Sequence, residues 1–126
     1  MAKLSFLRAI NAALREEMRR DERVFIMGED VVANLFGVTQ GMIGEFGLER
    51  VRDTPIAEAG FTGVAAGAAM VGMRPVVDYM MSPFMYPAFD QIVNIIAKSR
   101  YLYGGQARLP LVLRSKIGRA SCRERV

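Results

Sequence analysis

The stretch RVRDTPIAEAGFTGVAAGAAMVGMRPVVDY, residues 50–79, decides the fold. Arg50 to Asp53 reads as a strand, Thr54-Pro55 breaks it, and a small-residue helix is predicted from about Glu58 to Val71. Arg74 to Tyr79 follows as a second strand, with Pro75 among its first positions, where a missing N–H is tolerated. Upstream, Val24 to Met27 is too short for a helix and ends at Gly28, so it reads as a buried strand with Glu29-Asp30 at its C-terminal end. Before it, Ser5 can cap a helix whose apolar residues Phe6, Ile10, Ala13, Leu14 and Met18 recur at three- and four-residue steps. Residues 31–50 read as loop with a short helix around Gln40 to Phe46. Downstream, a helix is predicted from about Tyr86 to Leu102 and a last strand at Leu109 to Leu113. Strands that are apolar throughout and alternate with helices predict an α/β fold: a parallel sheet with helices on both faces. Ligands on such sheets sit beyond the C-terminal strand ends, here near Glu29-Asp30, Thr54 to Glu58 and Tyr79 to Phe84.

Composition narrows the chemistry. With 126 residues, 52% hydrophobic and 24% charged, the chain matches one folded domain. Of its net charge of +4, half comes from Ile117 to Val126, which holds three arginines against one glutamate. Elsewhere bases alternate with acids and no basic stripe interleaves with aromatics, so no nucleic-acid partner is expected. Histidine is absent and the single cysteine is Cys122, which excludes a Ser-His-Asp triad, a Cys-His pair and a His/Cys zinc site within this stretch. Catalysis must rest on carboxylates or on a bound cofactor. The longest uncharged run, Ala59 to Met73, is too short and too rich in glycine to span a bilayer, so no membrane segment is expected. The absence of a targeting signal predicts a cytoplasmic setting.

Three features bear on function. Glu58 stands at the start of the glycine-rich helix, where the macrodipole favours an acid; its neighbours Ile56, Ala57, Ala59 and Phe61 predict desolvation and a proton shared with a ligand nitrogen. Gly60, Gly63 and Gly67 line one helix face, so either the chain's own elements or a second subunit must approach closely. Tyr79 to Tyr86 is uncharged and is either core or a wall for a flat heteroaromatic ring, with Phe84 as stacking face and Met80 as a polarizable contact. For Asp30, Asp53 and Asp78, loop capping is the expected role.

The ordered set Gly28-Glu-Asp30, Gly37-Val-Thr-Gln-Gly41, Phe46-Gly47, Arg50 to Glu58, Gly60-Phe61, Gly63, Gly67-Ala-Ala69, Gly72-Met-Arg-Pro75, Asp90-Gln91, Ala97-Lys98 and Gly104-Gly105 resembles the β-subunit family of 2-oxoacid dehydrogenase E1 components. The match runs from about Leu4 to Arg114, and pyruvate, branched-chain and acetoin dehydrogenases share it. The resemblance implies a transketolase-like pyrimidine-binding module for thiamin diphosphate, which buries the aminopyrimidine against a partner α subunit. Glu58 would be the glutamate that hydrogen-bonds ring nitrogen N1′ and favours the imino tautomer, so that the exocyclic nitrogen can take the C2 proton. Met80 and Phe84 would form the ring's wall, and the backbone carbonyl of Leu111 a contact to a structural potassium ion. The α subunit would hold the diphosphate and magnesium, in an α2β2 assembly with a second β subunit, serving a small 2-oxoacid and a lipoyl-bearing E2 core.

The resemblance stops after Arg114, where the family continues into a histidine loop and a second domain. Residues 1–114 are therefore expected to form an incomplete pyrimidine-binding domain, inactive alone. Residues 115–126 are expected to be non-native, because Ile117 to Val126 looks like a translated sequencing adapter. The last strand is expected to be an exposed apolar edge, hence an aggregation hazard. The rival expectation is a non-catalytic α/β module used only for subunit contact. A single-chain transketolase-type enzyme fits less well, because no diphosphate-binding half precedes this domain.

Overall fold

The computed structural model describes residues 4–117. Helix α1, Phe6–Arg20, starts at Ser5, whose hydroxyl accepts the Arg8 N–H. Strand β1, Val24–Gly28, is followed by a looped segment, the short helix α2, Met42–Phe46, and strand β2, Val51–Asp53. Helix α3, Glu58–Met70, leads into strand β3, Arg74–Met81. A 3-10 segment, Ser82–Ala88, a π-helical segment, Gln91–Ile96, and helix α4, Ala97–Leu102, precede strand β4, Val112–Lys116.

All strand pairs are parallel, in the order β2-β1-β3-β4. Every residue of β1 is buried because helices cover both faces of the sheet. Val24 and Ile26 turn to one side, where Met18 of α1 and Met42 of α2 close a core with Val51 and Val76. Phe25 and Met27 turn to the other, against Phe61 and Ala65 of α3, Val77, Tyr79 and Ala88. Each fully buried side chain of this size contributes roughly 1.5–3 kcal/mol. Arg50 staples α1 to the sheet, its guanidinium donating to the carbonyls of Met18, Asp21 and Val24.

Two predicted elements differ. The single helix over Tyr86–Leu102 is replaced by 3-10, π and α segments. Pro83 and Pro87 lack the N–H that an α-helix needs, and Pro87 lies inside the 3-10 segment. The last strand begins three residues later than predicted: Pro110 has no donor, and the Leu111 N–H goes to the Leu109 carbonyl at 2.9 Å, so pairing starts at Val112. The strand does lie at the sheet edge with Val112 exposed, but the shift brings Arg114 and Lys116 into it, and such charges blunt an edge.

The chain leaves β1 to one side to make β2 and returns over α3 to make β3 on the other side. The C-terminal ends of β1 and β3 therefore form a topological switch point, where a crevice opens.

Candidate functional site

Glu29 follows β1 directly at this switch point. Its Oε1 atom is buried without a hydrogen-bond partner. Its carboxyl is raised above the ordinary range, first by burial, then by the negative charges of Glu58 and Asp30. Glu29 lines a crevice with Asp30, Val31, Phe36, Thr39, Asp78 and Met80. The loop that roofs it is held by its own polar groups. Thr39 Oγ1 donates to the Val31 carbonyl at 2.6 Å, Asn34 Oδ1 accepts the Thr39 N–H, and Asp53 Oδ1 accepts the Val32 N–H at 2.8 Å. Asp53 thus caps a loop, and the buried Thr54 Oγ1 just beyond it has no partner.

Glu58 is the first residue of α3, and the preceding Ala57 offers no side-chain cap. The free N–H groups of the first helical turn and the macrodipole give this position a positive potential. The expected desolvation by neighbours is only partial: Ile56 is 83% exposed, so within this chain Glu58 keeps part of its own exposure. The carboxyl with a buried oxygen, Oε1, at this edge is that of Glu29, a residue in one of the strand-end stretches where the sequence places ligands but one to which it assigns no role. One turn along α3, Thr62 shares a 2.6 Å hydrogen bond with the Tyr79 hydroxyl, both fully buried. Burial pushes the Tyr79 phenol up, and the nearby Glu58 charge adds to this. Sequence reasoning missed this pair, although Thr62 stands four residues from Glu58 and so shares its helix face.

Met80 lines the crevice with φ +59°, in the left-handed region that residues other than glycine rarely occupy. Phe84 lies in the 3-10 segment, half-buried against the core of Phe25, Met27, Phe61 and Tyr79. Leu111 precedes β4, at the sheet end away from Glu29 and Glu58. Of the glycine stripe on α3, Gly63 faces the Gln91 side chain, whose Oε1 is buried without a partner. A Cβ added at Gly67 would meet nothing, so the chain's own elements cover only part of that face.

The edge thus combines the carboxyls of Glu29 and Glu58, the unpartnered buried oxygens Glu29 Oε1 and Thr54 Oγ1, and the apolar Met80 and Phe36, whereas Phe84 packs on the core and is not among the residues lining the crevice. Unpartnered acceptor oxygens of this kind call for hydrogen-bond donors.

The model of the transketolase pyrimidine-binding domain matches residues 2–118. The chain belongs to this family. Among relatives of this pyrimidine-binding domain, the pyruvate dehydrogenase E1 component subunit beta of Rickettsia felis is 50% identical over 115 residues, which is 90% of this chain and 35% of the relative. The 2-oxoisovalerate dehydrogenase subunit beta of Bacillus subtilis is 45% identical over 120 residues, 94% of this chain and 37% of the relative. The acetoin:2,6-dichlorophenolindophenol oxidoreductase subunit beta of the same organism is 41% identical over 129 residues, 91% of this chain and 38% of the relative. The chain spans about a third of the length of the curated relatives it matches. No described helix is long and apolar enough to cross a membrane.

Proposed function

We propose that this domain is the pyrimidine-binding part of the β subunit of a thiamin-diphosphate-dependent 2-oxoacid dehydrogenase. In that reading a 2-oxoacid loses carbon dioxide, and its acyl carbon is oxidised as it passes to a lipoyl disulfide, which is reduced. The observation that carries the proposal is the match to the transketolase pyrimidine-binding family over residues 2–118, with Glu58 opening α3 beside the switch point of the parallel sheet. The dehydrogenase names of the relatives support it.

The residues fit the aminopyrimidine end of the cofactor. The unpartnered Glu29 Oε1 and Thr54 Oγ1 call for hydrogen-bond donors, Met80 lines the crevice, and Phe84 is assigned to the ring's wall by the family resemblance. Thiamin diphosphate, when bound, supplies the thiazolium carbon that attacks the 2-oxoacid carbonyl and accommodates the electrons left by decarboxylation. Glu58 accepts a hydrogen bond from N1′ and holds the proton there, which keeps the exocyclic nitrogen basic. Glu29 carries its proton to higher pH than an isolated carboxyl does. Met80 and Phe84 exclude water from the ring and fix its plane.

The diphosphate and its Mg2+ are assigned to an α subunit, in an α2β2 assembly with a second β subunit and a lipoyl-bearing E2. A potassium contact at Leu111, the origin of residues 115–126 outside the native protein, and a cytoplasmic setting belong to the same proposal. From residue 118 on, the tail lies outside the described residues. Strand β4 itself runs through Ser115 and Lys116.

The test is reconstitution of the parent β subunit with its α subunit. Decarboxylation of pyruvate or a branched 2-oxoacid that depends on added thiamin diphosphate supports the proposal. Assembly without any such activity favours a non-catalytic subunit-contact module.

A further inference from the structure

Met80 is held in the crevice lining by a bulge in β3. The β3 to β4 register slips between Asp78 and Met81, so β3 carries a bulge there. Within the bulge Met80 adopts φ +59°. A bulky residue persists in that region only where its surroundings over-determine it. They do so through Asp78, which is 5% exposed. Its Oδ1 accepts the Met80 N–H at 2.9 Å, and its Oδ2 accepts Arg114 Nη1 from the edge strand, a guanidinium itself largely buried. Gly28 of β1 lies against the Asp78 backbone from the other side, where no Cβ could fit. Bulges beside active sites commonly re-aim a side chain.

We infer that Asp78 and Arg114 are positioning residues whose ion pair locks the β3 bulge and thereby sets the Met80 side chain against the cofactor ring. The inference rests on the assignment of Met80 to the aminopyrimidine wall made under Proposed function. The carboxylate divides its two oxygens between the backbone that must be bent and the cation that holds the carboxylate still. Arg114 therefore acts on the site through Asp78, and β4 becomes part of the cofactor wall without touching it.

Two measurements test this. In the assembled complex, the Kd for thiamin diphosphate is measured by calorimetry for Asp78→Asn, Met80→Gly and the double variant. Glycine accepts the positive φ and removes the wall. Each single change is expected to weaken binding about 10-fold, and the double no more than Met80→Gly alone, since Asp78 acts only through that side chain. Multiplied effects, about 100-fold in the double, overturn the inference while leaving the wall assignment standing. An unchanged Kd for Met80→Gly overturns both. In the 126-residue chain without cofactor, amide exchange at Met80 is expected to quicken in Asp78→Asn and in the milder Arg114→Gln, and unchanged protection in both overturns the inference.

Discussion

Gly28→Ala tests the geometry of the switch point. A Cβ built on Gly28 would lie 2.1 Å from the backbone carbonyl oxygen of Asp78. An ordinary close C···O approach is roughly 3.3 Å, so the partners must separate by about 1 Å or the pair must break. Neither side can yield by rotating a side chain, because the obstacle is the backbone of the neighbouring strand, on which Gly28 is paired in register with Asp78. The φ of +156° adds strain for any L side chain. Backbone strain of about 1–3 kcal/mol and a forced core displacement of about 1–3 kcal/mol together give a loss of roughly 2–6 kcal/mol. For a domain of this size that lowers Tm by roughly 10–20 °C. Thermal unfolding followed by far-UV circular dichroism reads the effect, in parallel with Gly44→Ala, where an added Cβ meets nothing. A Gly28→Ala protein melting within about 2 °C of the parent would refute the close approach of β1 and β3 at this level.

The buried Thr62–Tyr79 hydroxyl pair predicts a non-additive cycle. Thr62→Val and Tyr79→Phe each strand one hydroxyl and cost about 1–3 kcal/mol in urea unfolding, whereas the double variant costs less than the sum of the two. Glu29 predicts a pH signature. Its folded-state value is raised, so the native state loses stability as pH climbs from the ordinary carboxyl range through that raised value, and the penalty persists above it. Glu29→Gln is therefore expected to raise Tm by a few degrees at pH 8, with the gain vanishing below about pH 4. An equal gain at both pH values would show that the charge is not its source.

Much of the fold is legible in residues 24–28 and 50–79, because a parallel sheet covered on both faces writes itself as uninterrupted apolar strands separated by a small-residue helix. The start of α1 is legible for a local reason, the Ser5 cap. What escapes is non-local. Helical spacing from Phe89 to Ala97 does not register that two prolines upstream impose a 3-10 entry, nor that a π segment follows. The start of β4 depends on which N–H groups remain after Pro110 and the Leu109–Leu111 turn have taken theirs. At the site, Glu58 is conspicuous because it opens a helix rich in glycine. Glu29 is legible only as a residue at a ligand-side strand end, because its buried, unpartnered oxygen depends on the Val31–Thr39 loop and β3 that line the crevice with it. The Met80 bulge has no sequence signal, since glycine or asparagine would mark a positive φ and methionine does not.

The proposed role of Glu58 is tested most directly by the rate at which the C2 proton of bound thiamin diphosphate exchanges with solvent. The measurement uses the parent β subunit assembled with its α subunit, before and after Glu58→Gln. Loss of the N1′ partner should slow exchange by about 100-fold or more while Kd for the cofactor changes less than about 10-fold. Exchange that stays within roughly 3-fold of the parent rate, with the cofactor still bound, would contradict the assignment of Glu58 as the residue that activates the ring.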